Sequence, residues 1–254
     1  MLIRDIVKLI DEFAPFRYQE EWDNSGFLIG DGDYEADSAL IALDLDRAVA
    51  DEAIARGADV IVTHHPYFME LKNITGETQK GGVILDLVRN NISLICAHTN
   101  LDAAKGGVND ILCEMLELEN VRHLAMIDGE VGAIRYGEYS GKTAAQVIDI
   151  IKNKLGVNTV RYSGNPSDAV KRVCVCSGSG SSFLDEALSS GADTFITGDV
   201  KYHTFGEARE LGLRIIDAGH FETENIICVH MRELLSPHMD AAVSESFRGF
   251  YKCY

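Results

Sequence analysis

Apolar residues recur every three or four positions at the start of the chain, at Leu2, Ile6, Leu9, Ile10 and Phe13. That spacing marks one face of a helix, and Pro15 closes the segment. The polar run Trp22-Asp23-Asn24-Ser25-Gly26 reads as a turn, and Phe27-Leu28-Ile29 as a short strand after it. From residue 39 onward, short apolar runs alternate with longer mixed runs of helical spacing. Strands are expected at 39–45, 59–63 and 92–97, and helices at 47–56, 82–90 and 108–118, with Gly57 stopping the first of these helices. The rhythm loosens over 119–140, where the glycine-rich stretch 129–141 reads as a hairpin or crossover. It resumes with a helix at 144–155 stopped by Gly156, strands at 170–176, 193–197 and 214–217, and a helix at 183–190. Such alternation implies a parallel or mixed sheet with helices packed on it.

One pattern occurs twice. Ala53-Ile54-Ala55-Arg56-Gly57-Ala58-Asp59-Val60-Ile61-Val62-Thr63 resembles Ala187-Leu188-Ser189-Ser190-Gly191-Ala192-Asp193-Thr194-Phe195-Ile196-Thr197. Both read as helix, Gly-Ala-Asp turn and strand ending in Thr. Each is followed by another helix and another strand, the first running into His98 and the second into His220. Any helix–glycine–strand unit shares some of this likeness. The fuller reading is an internal duplication: an α/β fold of two similar halves, residues 1–129 and 130–254, facing each other across a cleft. Ligands collect beyond the carboxyl ends of strands in such sheets, so the strand ends are where chemistry is sought.

Composition narrows the function. With 46% hydrophobic and 25% charged residues over 254 positions, the chain can bury a sizeable core. Its 40 acidic residues against 23 basic ones leave a net charge of −17, which works against binding an extended nucleic acid. The longest basic run is the pair Lys171-Arg172. No uninterrupted apolar run approaches the roughly 18 residues of a membrane span. Charged residues from Arg4 to Glu12 interrupt the amino terminus, so no signal peptide is read there and a cytoplasmic location is expected. Cys96, Cys113, Cys174, Cys176, Cys228 and Cys253 form no C-x-x-C pair and read as buried small hydrophobes.

The histidines point to chemistry. His64-His65-Pro66 directly follows a strand. Adjacent strand residues point to opposite faces, so this pair shares a site only if the chain turns. Metal ligation competes here with two structural imidazoles. Ala97-His98-Thr99-Asn100-Leu101-Asp102 also follows a strand and places an imidazole and a carboxylate in one loop; Asp102 would alternatively cap a helix. In Gly219-His220-Phe221-Glu222-Thr223-Glu224, a helix beginning near His220 puts His220 and Glu224 on one face at i and i+4. The alternative is a solvated helix start whose acids favour the dipole.

Three such motifs at strand ends outweigh the separate alternatives. His64, His65, Asp102, His220 and Glu224 are too many donors for one tetrahedral zinc and lack its structural thiolates. They suit two divalent ions per chain, of zinc, iron, manganese or nickel, in a dinuclear centre whose bridging hydroxide does hydrolytic chemistry. Cys176-Ser177-Gly178-Ser179-Gly180 lacks the pattern of a phosphate loop and reads as a tight turn. Asp199 and His203, in Thr197-Gly198-Asp199-Val200-Lys201-Tyr202-His203, hold the place in the second half that His64-His65 holds in the first. They are expected behind the ligands or against substrate. His98 and His203 are the candidate catalytic residues for moving protons or orienting a leaving group. His123, His230 and His238 are read as structural.

Taken in order, W-D-N-S-G at 22–26, T-H-H-P at 63–66, H-T-N-L-D at 98–102, C-S-G-S-G at 176–180, T-G-D-V-K-Y-H at 197–203 and G-H-F-E-T-E at 219–224 resemble the NIF-three-like dinuclear-metal family, often labelled GTP cyclohydrolase 1 type 2. The resemblance covers roughly residues 1–235. It implies the same five ligands, with Glu224 as the bridge, and a toroidal homohexamer built as a trimer of dimers. It also implies a small-molecule substrate such as GTP, attacked at the purine imidazole carbon. The extra domain inserted in longer members is lacking here, and Tyr67 stands where the family pattern has an aliphatic residue. A non-catalytic metal-binding ring, serving storage, delivery or protein interaction, would use the same ligands.

Overall fold

The computed structural model describes residues 1–251 of the protein; Cys253 therefore lies outside the described residues. The chain forms an α/β fold of two compact units, each built around its own sheet. Residues 1–101 and 227–250 make the first unit, and residues 102–226 the core of the second. The expected boundary near residue 130 falls in the turn of a hairpin inside the second unit.

The first unit begins with helix α1 (Ile3–Phe13), whose Ile3, Ile6 and Ile10 are buried. Strand β1 (Gly26–Ile29) and strand β2 (Ser38–Ala42) follow. Helix α2 (Arg47–Arg56) starts at Asp46, whose carboxylate accepts from the Val49 amide, and stops at Gly57 in the left-handed conformation, φ +66°. Strand β3 (Val60–Thr63), helix α3 (Gln79–Arg89) and strand β4 (Ser93–Cys96) complete the run, and the boundary with the second unit falls inside the short helix α4 (Thr99–Ala103), after Leu101. Every residue of β3 and β4 is buried. The continuous apolar reading of those segments is the mark of a strand covered on both faces.

The second unit opens with helix α5 (Val108–Met115) and then strands β5 (Glu119–Ile127) and β6 (Val131–Thr143), a long antiparallel hairpin where the rhythm loosened. Helix α6 (Ala144–Leu155) is framed by a Thr143–Gln146 capping box and by Gly156 at φ +70°. Strands β7 (Arg161–Tyr162) and β8 (Ala169–Val175), helix α7 (Leu184–Ser189), strand β9 (Thr194–Thr197), helix α8 (Tyr202–Glu210), strand β10 (Arg214–Asp217) and helix α9 (His220–Glu224) follow. Helix α10 (Ile227–Leu235) and strand β11 (Asp240–Val243) return to the first unit.

The sheets are ordered β1-β4-β3-β2-β11 and β5-β6-β8-β9-β10-β7. In the first, β2, β3 and β4 run parallel, and β1 pairs antiparallel with β4. In the second, β8, β9 and β10 run parallel, and β7 pairs antiparallel with β10. Alternate residues of β8 pack opposite faces of that sheet. Val173 and Val175 meet Val147 and Ile151 of α6, while Cys174 meets Phe195, Ala187 and Ile215. The five described cysteines are buried and unbridged, and burial pushes the thiols of Cys113 and Cys228 up to about 12. No helix among the described residues is long and apolar enough to cross a membrane.

Candidate metal centre

In the first unit, hydrogen bonding to the segment after β2 continues past the end of β3. The amides of His64 and His65 donate to the carbonyls of Ala42 and Leu43, at 3.3 and 2.9 Å. The Thr63 hydroxyl then donates to the His65 carbonyl at 2.9 Å and bends the chain. That bend brings the two neighbouring imidazoles together, with ring centroids 5.0 Å apart. His98, just beyond β4, places its ring 5.2 Å from His64 and 5.4 Å from His65. One ligating atom from each of these three histidines lies within 4.8 Å of the other two, so the group could hold a metal ion.

Each ring has an acceptor at Nδ1. For His64 it is the Ala97 carbonyl at 2.9 Å, for His65 the Asp44 carboxylate at 2.8 Å, and for His98 the Asp23 carboxylate at 2.8 Å. An acceptor there favours the tautomer with its proton on Nδ1 and its lone pair on Nε2, the form that ligates a cation. The Asp23 side chain is 0% exposed. It also accepts from the Asn24 amide at 2.7 Å, the Ser25 hydroxyl at 3.0 Å, and both the amide and hydroxyl of Thr99. Burial would raise its carboxyl, but the bond to His98, the His98 charge and the Thr99 and Asn24 donors outweigh that and hold it well below the carboxylate range.

In the second unit three loops converge. Gly178 of the C-S-G-S-G turn sits at φ +58°, and a Cβ there would collide with a Glu224 carboxylate oxygen. The Gly178 amide donates to the Thr223 hydroxyl at 2.9 Å, and the Gly198 amide donates to the Gly178 carbonyl at 2.7 Å. The turn is therefore shaped around the helix that carries His220 and Glu224. On that helix His220 Nε2 and Glu224 Oε2 are 2.9 Å apart, and Glu224 is 4% exposed. His220 Nδ1 meets the Asp199 carboxylate at 2.7 Å. Asp199 takes φ +52°, unusual for a side chain with a Cβ, as it turns toward His220. A ligating oxygen of Asp102 lies within 4.8 Å of one from Glu224.

Asp102 lies inside α4 and caps neither it nor α5, whose cap is Gly107. The Ser177 hydroxyl donates to its carboxylate at 3.2 Å. Behind it, fully buried Asn109 donates to the Asp102 and Ala133 carbonyls and accepts from the Ser177 amide. Arg135, also fully buried, pairs with Asp110 and donates to the carbonyls of Ala103 and Ala104 at 3.1 and 3.0 Å.

The structure thus groups His64, His65 and His98 in one unit, and Asp102, His220 and Glu224 in the other. His203 is exposed on the first turn of α8 and belongs to no metal-capable group among the described residues. Asp199 does stand behind a candidate ligand. In the sequence Asp23 reads only as part of the W-D-N-S-G turn, and neither Asp44 nor Asn109 is singled out. The signals available were that motif for Asp23 and, for Asp44, a carboxylate just past β2 in Leu43-Asp44-Leu45.

Fold and donors together define a two-sheet α/β protein in which His64, His65 and His98 of the first unit form a group able to hold a metal ion, and the second unit gathers its own imidazole and carboxylate donors. The chain belongs to the Duf34/NIF3 (NGG1p interacting factor 3) family, whose profile matches residues 1–248. A Clostridium perfringens protein named GTP cyclohydrolase 1 type 2 homolog is 37% identical over 247 residues, covering 96% of this chain and 94% of its own. The reduced HcgD structure from Methanocaldococcus jannaschii superposes with a TM-score of 0.85 at 32% identity, over 96% of this chain and 98% of that one. A Bacillus cereus protein related to NIF3 gives a TM-score of 0.90 over 100% and 99% of the chains; at 24% identity it speaks for the fold alone.

Proposed function

We propose that the chain binds two divalent metal ions through His64, His65, Asp102, His220 and Glu224, and that it is a metal-dependent hydrolase of a small nucleotide-like substrate such as GTP. The observation that carries this reading is the uniform treatment of Nδ1. His64, His65, His98 and His220 each set that atom on a carbonyl or carboxylate, the support that metal-ligating imidazoles receive. Imidazole and carboxylate donors suit zinc, iron, manganese or nickel. Cys176 belongs to none of the metal-capable groups among the described residues.

Bound there, the ions would supply an acidified water and an electrostatic partner for charge developing in the transition state. Glu224, close to both Asp102 and His220, is the carboxylate suited to serve two ions. Asp44 and Asp199 orient His65 and His220. His98, held by Asp23, is assigned to proton movement, with His203 the second candidate. GTP enters through the names borne by relatives, as does the homohexamer through the family resemblance.

The test is elemental mass spectrometry of intact protein and of His65→Ala, with GTP turnover followed alongside Glu224→Ala. Two ions per chain are expected, falling in His65→Ala, and turnover at least about a hundredfold lower in Glu224→Ala. Turnover that survives Glu224→Ala removes the mechanism. Metal without turnover above background turns the reading to storage or delivery.

A further inference from the structure

The motif Trp22-Asp23-Asn24-Ser25-Gly26 does more than hold His98. Trp22, the single tryptophan of the chain, is 61% exposed. Leaving it so forgoes much of the burial an indole can contribute. Yet the turn that presents it is pinned on every side. Asp23 is buried under its donors, the Ser25 amide donates to Gln19 at 3.0 Å, and the Ser25 hydroxyl donates to Asp23. Asn24 Nδ2 donates at 2.7 Å to the Phe68 carbonyl, in the segment after H-H-P that lines an open groove of about 690 Å³. The indole stands edge-to-face with His98, centroids 5.8 Å apart and planes at 76°.

We infer that Trp22 is the stacking platform for a planar heteroaromatic ring of the substrate, such as a purine, held beside the His64–His65–His98 group. The inference rests on the hydrolase reading for the identity of that substrate, but its geometry belongs to the first unit alone. An exposed indole on a fixed turn offers a preorganised π-face, so little ordering cost attends binding. Ring stacking on an aromatic side chain contributes about 1–3 kcal/mol per base. Because the platform abuts His98, it would select flat rings over sugars or simple phosphates and set their approach to the metal-capable group.

Being the only tryptophan, Trp22 reports on itself. Intrinsic emission is titrated with guanosine, GTP and ribose 5-phosphate, on zinc-loaded and on chelator-treated protein. Affinities of Trp22→Phe and Trp22→Ala for the same compounds are measured by calorimetry. Saturable quenching by guanosine and GTP but not by ribose 5-phosphate is expected. Affinity should fall about 5- to 150-fold in Trp22→Ala and recover most of the way in Trp22→Phe, with metal content unchanged in both. Emission that ignores guanosine, or a Trp22→Ala affinity equal to that of the unmodified protein, overturns the inference. So does emission that shifts with protein dilution and not with guanosine, which would make Trp22 a contact between copies. A chain that holds no metal yet is quenched by guanosine keeps the platform and loses the hydrolase reading. Two bound ions with unresponsive emission lose the platform alone.

Discussion

At Gly178 the backbone conformation and the neighbour act together. A positive φ costs an L-residue roughly 1–2 kcal/mol, and an added methyl would meet the end of the Glu224 side chain. The flexible carboxylate, being easier to move than the backbone, is what should give way. Gly178→Ala is therefore expected to melt only moderately earlier, by about 1–2 kcal/mol; under the metal-binding function proposed above, its metal content falls far more sharply. Elemental analysis beside a thermal melt checks this. A variant that keeps its ions would show that Glu224 is not held where metal needs it. From the sequence, C-S-G-S-G reads only as a tight turn. Its contact with Glu224 spans two strands and two helices, and no local pattern carries that.

Among the elements, those with strong periodicity were legible. The buried stripe of α1, the Gly57 and Gly156 stops and the continuous apolar runs of β3 and β4 all follow from local sequence. The β5–β6 hairpin was legible only as a break in rhythm, since β5 is mostly exposed and lacks a buried face. Strand β11 went unread. Its four residues, Asp-Ala-Ala-Val, are exposed or half-buried and become a strand by pairing with β2. Helix α5 carries a different device, the Asn109 strut. Removing its side chain leaves the Ser177 amide and the Asp102 and Ala133 carbonyls to lose a partner in a dry interior. Asn109→Ala should cost about 1–3 kcal/mol, read as a lower urea midpoint at unchanged slope. A midpoint equal to that of the unmodified protein would show that the strut is dispensable.

For the molecule as a whole, the chain leaves the first unit after Leu101 and returns at Ile227, so its carboxyl-terminal segment must be secured. Glu52 of α2 does this, accepting from the Ser244 hydroxyl at 2.6 Å and from the amides of Glu245 and Ser246 at 3.1 and 2.9 Å. Burial would raise its carboxyl, but these donors prevail and hold it at about 2. A carboxyl depressed in the folded state stabilises above its unfolded value, about 4.3, and that contribution is lost as pH falls toward 2. Glu52→Gln is expected to unfold more easily at neutral pH by about 1–2 kcal/mol. The deficit should shrink between about pH 4.5 and 2, as followed by denaturant melts across that range. A deficit independent of pH would refute the charge-based clamp.

The strand–helix alternation, the strand-end position of His64-His65, His98 and His220, and the donor types that suit a metal are all written in the order of the residues. These are local properties: side-chain period, turn chemistry and residue identity act over a few positions. What holds each imidazole emerges on folding. His98 finds Asp23 across 75 positions, His64 finds the Ala97 carbonyl across 33, and His65 and His220 find Asp44 and Asp199 across 21 each. A hydrogen bond needs its partners within about 3 Å, and separations of that length are closed by strand register and loop packing.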